Sequence, residues 1–237
     1  LFFSLNVYAD EFNISAKEII IDKTNNTVTG LGGVNITDKE GMVIKANKVI
    51  YEKSKEFLTT TGSVEVIDNE GNTLKAENVT YDKINEMVKS YGNSQLNLEG
   101  GYELNSSTIL YDTVKKIIST EKKSILNDID GNQIETSMFQ YFISKNLFSS
   151  IGKIKIIDIN KNKYFFKELH IDTKRHEIIG SDASVLLDPE SFGVSEESEP
   201  RFVANDIFVS KNKTNLSKGI FTTCKRKGEK CPAWSLQ

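Results

Sequence analysis

An internal repeat with a period of thirty residues dominates this sequence and limits the folds it can adopt. The segment 45–53, Lys-Ala-Asn-Lys-Val-Ile-Tyr-Glu-Lys, returns at 75–83 as Lys-Ala-Glu-Asn-Val-Thr-Tyr-Asp-Lys. Six copies keep this register from about residue 10 to about residue 187. A unit of this length cannot bury its apolar side chains alone, so we expect the copies to stack on one another in chain order. The most regular position holds a tyrosine in four copies: Tyr51, Tyr81, Tyr111 and Tyr141.

Within each copy, apolar residues alternate with polar ones, which is the pattern of a β-strand with one buried face. The apolar residues stand at even positions in one strand, as at Val64 and Val66, and at odd positions in the next, as at Val79 and Tyr81. Turns separate these strands. One kind begins with Asp and ends with Gly, as in 68–71, because Asp can bond the amides of its own turn and Gly accepts a positive φ. The other follows the tyrosine, as at Asp82-Lys83.

These patterns predict an all-β protein, an elongated β-jelly-roll or β-solenoid-like stack (β-taco) of about thirty-residue repeats, with an apolar face along its length. No amphipathic helix is predicted. A stack of this kind leaves an open edge strand at each end, which favours end-to-end assembly with similar domains. We expect the first edge near Phe12 and Ile14.

Composition narrows the functional classes. The chain has 237 residues, 30 basic and 33 acidic side chains and 38% hydrophobic residues. A formal net charge of −3 argues against a nucleic-acid-binding protein, and the apolar content is enough for a core. No apolar run approaches the roughly 20 residues of a transmembrane helix. A polytopic helical membrane protein is therefore excluded.

The first nine residues, Leu-Phe-Phe-Ser-Leu-Asn-Val-Tyr-Ala, differ from the repeats. They are apolar and end in Val7-x-Ala9 before Asp10-Glu11, which is typical of the tail of a secretory signal cleaved after Ala9. The alternative is an ordinary buried first strand. The signal interpretation predicts a protein that works outside the cytoplasm, where cysteines can pair.

The acidic residues do not indicate an active site. Asp38, Asp68, Asp128 and Asp158 occupy one phase of the repeat, so the simplest interpretation is a turn residue that every copy needs. A catalytic carboxylate pair, as in a glycosidase, would break the pattern in one copy, and no such break is visible. We therefore predict that the chain is not an enzyme. The two histidines, His170 and His176, do not match a metal-ligand spacing, and no cofactor is expected.

Cys224 and Cys231 are the only cysteines. Zinc would need two further ligands that the sequence does not place nearby. Pairing is expected instead, either of the two cysteines with each other or with a part of the chain that lies beyond this sequence.

The repeated Ala-x-x-(Val/Ile)-x-(Tyr/Ile)-(Asp/Glu)-Lys motif, with a Gly-x-Val strand and an Asp-x-x-Gly turn, resembles the OstA-like domain of lipopolysaccharide transport. The resemblance covers residues 10–218. By itself it fits a soluble periplasmic bridge protein, an inner-membrane-anchored partner, or the periplasmic domain of an outer-membrane LPS-assembly protein. Residues 219–237, with Gly-Ile-Phe-Thr-Thr-Cys and later Cys-Pro-Ala-Trp, resemble the junction through which the LPS-assembly protein enters its barrel. The resemblance implies that Cys224 and Cys231, which match the junction cysteines by position, form disulfide bonds.

The resemblance implies a bridge that receives lipopolysaccharide in an apolar groove and delivers it to an outer-membrane barrel. The implied partners are a homologous periplasmic bridge protein, joined by edge-strand pairing, and the outer-membrane lipoprotein that plugs the barrel. The implied location is the periplasmic face of the outer membrane. A stand-alone bridge protein and a passive surface scaffold or adhesin are the alternatives. The predicted groove residues are Ile36, Ile44, Val49, Tyr51, Val64, Val66, Leu74, Val79, Tyr81, Leu104, Ile109 and Tyr111.

Overall fold

The computed structural model describes residues 5–9, 12–195, 197–211, 213–224 and 234–236, the first and last of these ranges by their backbone alone. The chain divides into two compact units, Leu1–Lys122 and Lys123–Gln237, which we call the N-terminal unit and the C-terminal unit. The described part of the chain is almost entirely β-structure, as the repeat predicts.

The N-terminal unit consists of antiparallel strands that pair mostly in chain order. Its strands are β1 (Leu5–Ala9), β2 (Phe12–Ala16), β3 (Glu18–Asp22), β4 (Thr27–Asp38), β5 (Val43–Glu52), β6 (Phe57–Ile67), β7 (Thr73–Asp82), β8 (Met87–Tyr91), β9 (Ser94–Asn97), β10 (Glu103–Ser106), β11 (Leu110–Asp112) and β12 (Ile117–Thr120).

The C-terminal unit is also antiparallel. Its strands are β13 (Ser124–Asn127), β14 (Gln133–Thr136), β15 (Phe139–Phe142), β16 (Leu147–Ile157), β17 (Lys163–Asp172), β18 (Glu177–Leu186), β19 (Arg201–Ser210), β20 (Lys213–Ser217), β21 (Gly219–Thr222) and β22 (Trp234–Leu236). In the described residues of both units together, the helices are α1 (Pro189–Phe192) and two single 3₁₀ turns. The turn Lys53–Lys55 lies in the N-terminal unit and the turn Ile143–Lys145 in the C-terminal unit. No helix in the described ranges is long and apolar enough to span a bilayer.

Each long strand bends sharply in its middle, and the bend explains the change of parity seen in the sequence. In β5, Ile44 and Ala46 point inward, Asn47 and Lys48 are both exposed, and Val49 then points inward again. The register of the β5–β6 pairing shifts here, between Lys45 and Lys48 of β5, which indicates a β-bulge. Two consecutive outward residues at a bulge let both halves of one strand face the same interior. The halves therefore form two layers with an apolar core between them.

Glycine is favoured at one of these bends. Gly62 has φ +82°, and a Cβ there would lie 2.8 Å from the Asn47 side-chain nitrogen. Both the backbone conformation and the space therefore favour a residue without a side chain.

The turns match the sequence prediction. In the first kind, Asp68 Oδ1 accepts hydrogen bonds from the backbone N–H groups of Glu70 and Asn72, both at 2.9 Å, and Gly71 has φ +90°. In the second kind, Asp82 Oδ1 accepts from the N–H of Asn85 at 3.0 Å. Turns of the first kind connect the strands of one layer, and turns of the second kind connect the strands of the other.

The rim is our name for the edge opposite the bends, where these two sets of turns face each other.

Candidate functional site

The predicted groove residues all lie in the N-terminal unit, and the structure places them between its two layers. All are buried except Tyr111, which is half-buried. Val49, Val79 and Leu104 have no exposed surface at all. The inward direction of these side chains follows from the bent strands; their binding of lipid stays a prediction.

The interior of the N-terminal unit is nearly filled. A cavity of about 30 Å³ lies among Val66, Leu74, Leu96 and Ile109, which is the volume of roughly one water molecule. Near the rim, the ring of Phe12 from one layer meets Tyr51 and Tyr81 from the other, with ring centroids 5.1 and 5.7 Å apart. Among the described residues of the N-terminal unit, this interior cavity is too small for an acyl chain.

Charged groups close the rim of the N-terminal unit above these tyrosines. Lys83 Nζ, on a turn of one layer, lies 3.2 Å from Glu40 Oε1, on a turn of the other. Lys83 also contacts Glu86 Oε1 at 2.8 Å and the Tyr81 hydroxyl at 3.2 Å. Tyr81 and Thr113 donate to Glu86 Oε2 at 3.0 and 2.9 Å. The cluster joins the two layers at a point where the Lys83 side chain is only 10% exposed.

Burial and hydrogen bonding act in opposite directions on this cluster. Burial favours the neutral acid of Glu86, but the hydrogen bonds from Lys83, Thr113 and Tyr81 outweigh it and lower the pKa of Glu86. Burial likewise favours the neutral amine of Lys83, yet its hydrogen bonds to Glu86 and Tyr81 raise the pKa of Lys83. Burial raises the pKa of Tyr81. The ion pair is therefore the stable state of the cluster at neutral pH.

The next copy repeats the arrangement more loosely. Lys116 Nζ lies 3.9 Å from Glu70 Oε1 on the opposite layer and 3.2 Å from the Tyr111 hydroxyl. We call the pairs Lys83/Glu40 and Lys116/Glu70 the rim ion pairs.

The C-terminal unit differs at its rim. In the thirty-residue repeat, the positions of the C-terminal unit that correspond to Lys83 hold Ile143 and Thr173. Those that correspond to Lys116 hold Asn146 and His176. No lysine occupies either position in residues 123–187. The interior here opens into a pocket of about 370 Å³, which we call the rim pocket. It is lined by Asn132, Ile156, Asp158, Tyr164, Phe166, Ile178, Phe202, Ile207, Val209 and Thr214.

The rim pocket has an apolar wall and a few polar groups at its border. Ile178, Phe202 and Val209 are half-buried, so apolar surface faces the opening. The Tyr164 hydroxyl donates to Asp158 Oδ2 at 2.9 Å. Burial and the neighbouring Asp158 carboxylate raise the pKa of Tyr164 to about 12. A volume of this size is within the range of small-molecule pockets, and the wall suits a hydrocarbon chain.

The sequence prediction missed these residues. Tyr164 and Phe166 stand at the phases of Leu74 and Ala76, so the repeat could have shown them as large aromatic residues on an inward face. Phe202 and Val209 follow the loop 188–200, which shifts the register, and the periodic pattern carried no signal for them.

The other predicted site residues are placed as follows. Phe12 and Ile14 are buried, and their strand β2 pairs with β4 on one side and with β1 on the other. In this structure Leu5–Ala9, the segment interpreted as a signal tail, therefore occupies the edge expected to be open. Cys224 is half-buried and its carbonyl accepts a hydrogen bond from Arg201 Nη1. Cys231 lies outside the described residues.

His170 Nε2 lies 2.9 Å from Glu168 Oε1 on the same strand. Within the described ranges, no three His, Cys, Asp or Glu side chains are grouped to hold a metal ion.

Comparison with known proteins adds little to this geometry. No protein-family model matches the chain, and no curated protein does. Among solved structures, the chain is similar to LptH from Pseudomonas aeruginosa, the LptA homologous periplasmic component of the conserved lipopolysaccharide transport device. The TM-score is 0.27 and the identity 18%, over 60% of this chain and 83% of that one. A similarity this low carries no argument about function.

Proposed function

We propose that this chain is a periplasmic carrier domain of the OstA-like type, which binds the acyl chains of lipopolysaccharide in its apolar interior and leaves the sugars in water. The observation that carries the proposal is the rim pocket, an apolar interior of about 370 Å³ that opens between the two layers of the C-terminal unit. The repeat motif supports the same ligand, because it resembles domains of lipopolysaccharide transport.

The energetics of the cargo favour a carrier over free diffusion. Each buried methylene contributes about 0.8 kcal/mol, so exposing a chain of roughly a dozen carbons to water costs on the order of 10 kcal/mol. A multi-chain lipid therefore needs continuous apolar contact to cross an aqueous space. Phe202, Ile178 and Val209 supply such contact at the opening of the pocket.

The finer proposal is that the chain is the N-terminal domain of an LPS-assembly protein. It would receive lipopolysaccharide from a homologous bridge protein and pass it to an outer-membrane barrel with a lipoprotein plug. Residues 219–237 and the cysteines Cys224 and Cys231 support this assignment through their resemblance to the junction. Removal of residues 1–9 as a signal tail would free the outer edge of β2 for pairing with the bridge protein.

Site-specific photocrosslinking tests the carrier function. A benzophenone amino acid replaces Val209, which lines the rim pocket, and in a matched variant replaces Val203, which lies on the same strand and is 45% exposed. After irradiation with purified lipopolysaccharide, we expect an adduct at position 209 and little at position 203. Absence of an adduct at 209, or equal adducts at both positions, would sink the proposal and favour a passive scaffold.

Sequencing the gene beyond the codon for Gln237 tests the assignment to an LPS-assembly protein. An open reading frame that continues past Gln237 into alternating amphipathic strands supports the LPS-assembly protein. A natural stop at that point supports the stand-alone bridge protein.

A further inference from the structure

The C-terminal unit has a second pocket, of about 470 Å³, on the outside of the bends and away from the rim. We call it the bulge pocket. Its floor consists of Ile154, Phe165 and Phe166, and Phe165 is half-buried although it faces outward. Its border carries Lys123, Lys153, Lys155 and Glu135. An apolar floor is thus surrounded by three cations.

One carboxylate neutralises only part of this charge. Glu135 Oε1 lies 3.2 Å from Lys155 Nζ, and Glu135 Oε2 lies 3.5 Å from Lys123 Nζ. The hydrogen bond from Lys155 lowers the pKa of Glu135, so the carboxylate is charged at neutral pH. With Lys153 exposed at the same border, the pocket keeps a formal charge of +2 from three lysines and one glutamate.

The N-terminal unit contains the matching pocket with different chemistry. A groove of about 620 Å³ there is lined by Ser63, Lys75, Ala76, Glu77, Asn93, Ser94, Gln95, Asn105 and Ser106. At an offset of sixty residues, two copies of the repeat, Asn93 corresponds to Lys153, Gln95 to Lys155, and Asn105 to Phe165. Lys75 and Glu77 give this groove no net charge. Because the same fold forms this groove without a lysine border or a phenylalanine floor, packing does not require those residues in the C-terminal unit.

We propose that the bulge pocket binds an anionic amphiphile, with a phosphate monoester held by Lys123 and Lys153 and its hydrocarbon chain on Phe165. Charge complementarity selects the phosphate, since lysine forms charge-assisted hydrogen bonds with it. The half-buried phenylalanine selects an attached apolar chain over a bare ion. The proposal does not depend on what occupies the rim pocket.

Calorimetric titration with short-chain phosphatidic acid, below its critical micelle concentration, tests this site in the full chain carrying Val209→Phe, which fills part of the rim pocket and so reduces acyl-chain binding there. The double variant Lys123→Gln/Lys153→Gln should bind at least about tenfold more weakly, because it removes both phosphate ligands. Lys75→Gln, in the matching groove, is the control and should change the affinity less than about twofold. Phe166 is left intact because it also lines the rim pocket.

The choice of ligand separates the headgroup from the chain. Short-chain phosphatidylcholine should bind at least about tenfold more weakly than phosphatidic acid, and inorganic phosphate should also bind more weakly. Equal affinity for the two lipids, or for phosphate and phosphatidic acid, would overturn the proposal, as would an unchanged affinity in the double variant.

Labelling of the wild-type protein gives a test that needs no variant. Phosphatidic acid should protect Lys153 and Lys123 from an amine-reactive reagent, as read by peptide mass spectrometry, and should leave Lys75 reactive. Equal labelling of all three lysines with and without the lipid would count against the site.

Discussion

Asp38 differs from its counterparts in later copies by a single missing partner. Asp68, Asp128 and Asp158 each accept a hydrogen bond on Oδ2 from a side-chain amide four residues on, at 2.7 to 2.8 Å. In the first copy that residue is Met42, and Asp38 Oδ2 is buried without a hydrogen-bond partner among the described residues. Burial accordingly raises the pKa of Asp38.

We expect Asp38→Asn to raise the free energy of unfolding at pH 7 by about 1 kcal/mol, because it removes a desolvated charge and keeps Oδ1 as an acceptor for the turn. A raised pKa in the folded state means that the wild type is relatively more stable at low pH and loses that stability as the pH rises through this pKa. The benefit of the variant should therefore grow between pH 3 and pH 7 in urea unfolding.

Asp68→Asn is the matched control. It sets an amide N–H against the Asn72 amide and should cost about 1 kcal/mol at pH 7. Equal losses in the two variants would show that the unpaired oxygen of Asp38 is not a source of instability.

At the scale of strands, the fit between β17 and β18 depends on Gly180. A Cβ at this position would lie 2.5 Å from Cδ1 of Phe166, closer than real contacts allow. The phase of Phe166 holds Ala46 and Ala76 in earlier copies, and the phase of Gly180 holds Thr60 and Ser90. A large residue on one strand is thus matched by glycine on its neighbour.

Gly180→Ala should destabilise the protein by about 1–3 kcal/mol through overpacking. In a Phe166→Ala background the same substitution should be nearly neutral, and a double-mutant cycle of urea unfolding measures the coupling. Gly30→Ala, at the same phase, meets a Val49 methyl at 3.0 Å and should cost less. Additive effects of the Gly180 and Phe166 substitutions would contradict the steric account.

The rim turns of the N-terminal unit make a pH prediction of their own. Glu86→Gln should lower the free energy of unfolding at pH 7 by about 1–2 kcal/mol, because it removes the charged acceptor of Lys83, Tyr81 and Thr113. The folded pKa of Glu86 is lowered, so the wild-type advantage is present above the unfolded pKa and is lost as the pH falls through the folded value.

Glu56→Gln provides the comparison, since Glu56 occupies the same left-handed turn position one copy earlier, with φ 48° against 54°. It should change stability by less than about 0.5 kcal/mol. A wild-type advantage over Glu86→Gln that stays constant from pH 7 to pH 3 would refute the role of the charge.

Across the molecule, the two units present different interiors. The N-terminal unit is filled and its rim carries ion pairs, whereas the C-terminal unit opens into the rim pocket. We therefore expect a single acyl-chain site in the interior, in the C-terminal unit, rather than one in every copy.

Val209→Phe should fill part of the rim pocket and weaken dodecanoate binding at least about tenfold in a calorimetric titration. Val203→Phe, on the outward face of the same strand, should leave the affinity within about twofold. Equal effects of the two variants would contradict the assignment.

Much of the fold could be read from the sequence. The Asp-x-x-Gly turns, the alternating strands and the parity change between Ala46 and Val49 are local signals, because strand period, turn chemistry and burial of one face act over a few residues. The inward direction of Ile44, Val64 and Leu104 follows from them. The functional surface could not be derived this way. Phe202 and Val209 lie beyond the register shift, and Phe166 is recognisable only as a larger residue at a known phase.

The repeating strands, the turns and the inward-facing side chains were all predictable from the chain alone, since they depend on periodicities of two and thirty residues. Where the interior is closed and where it is open depends instead on tertiary contacts. Lys83 meets Glu40 across 43 positions of sequence, and Gly180 makes room for Phe166 on a neighbouring strand. Whether the interior is open depends on the volumes and charges of side chains that meet across the bend. Such contacts produce no periodic pattern along the sequence.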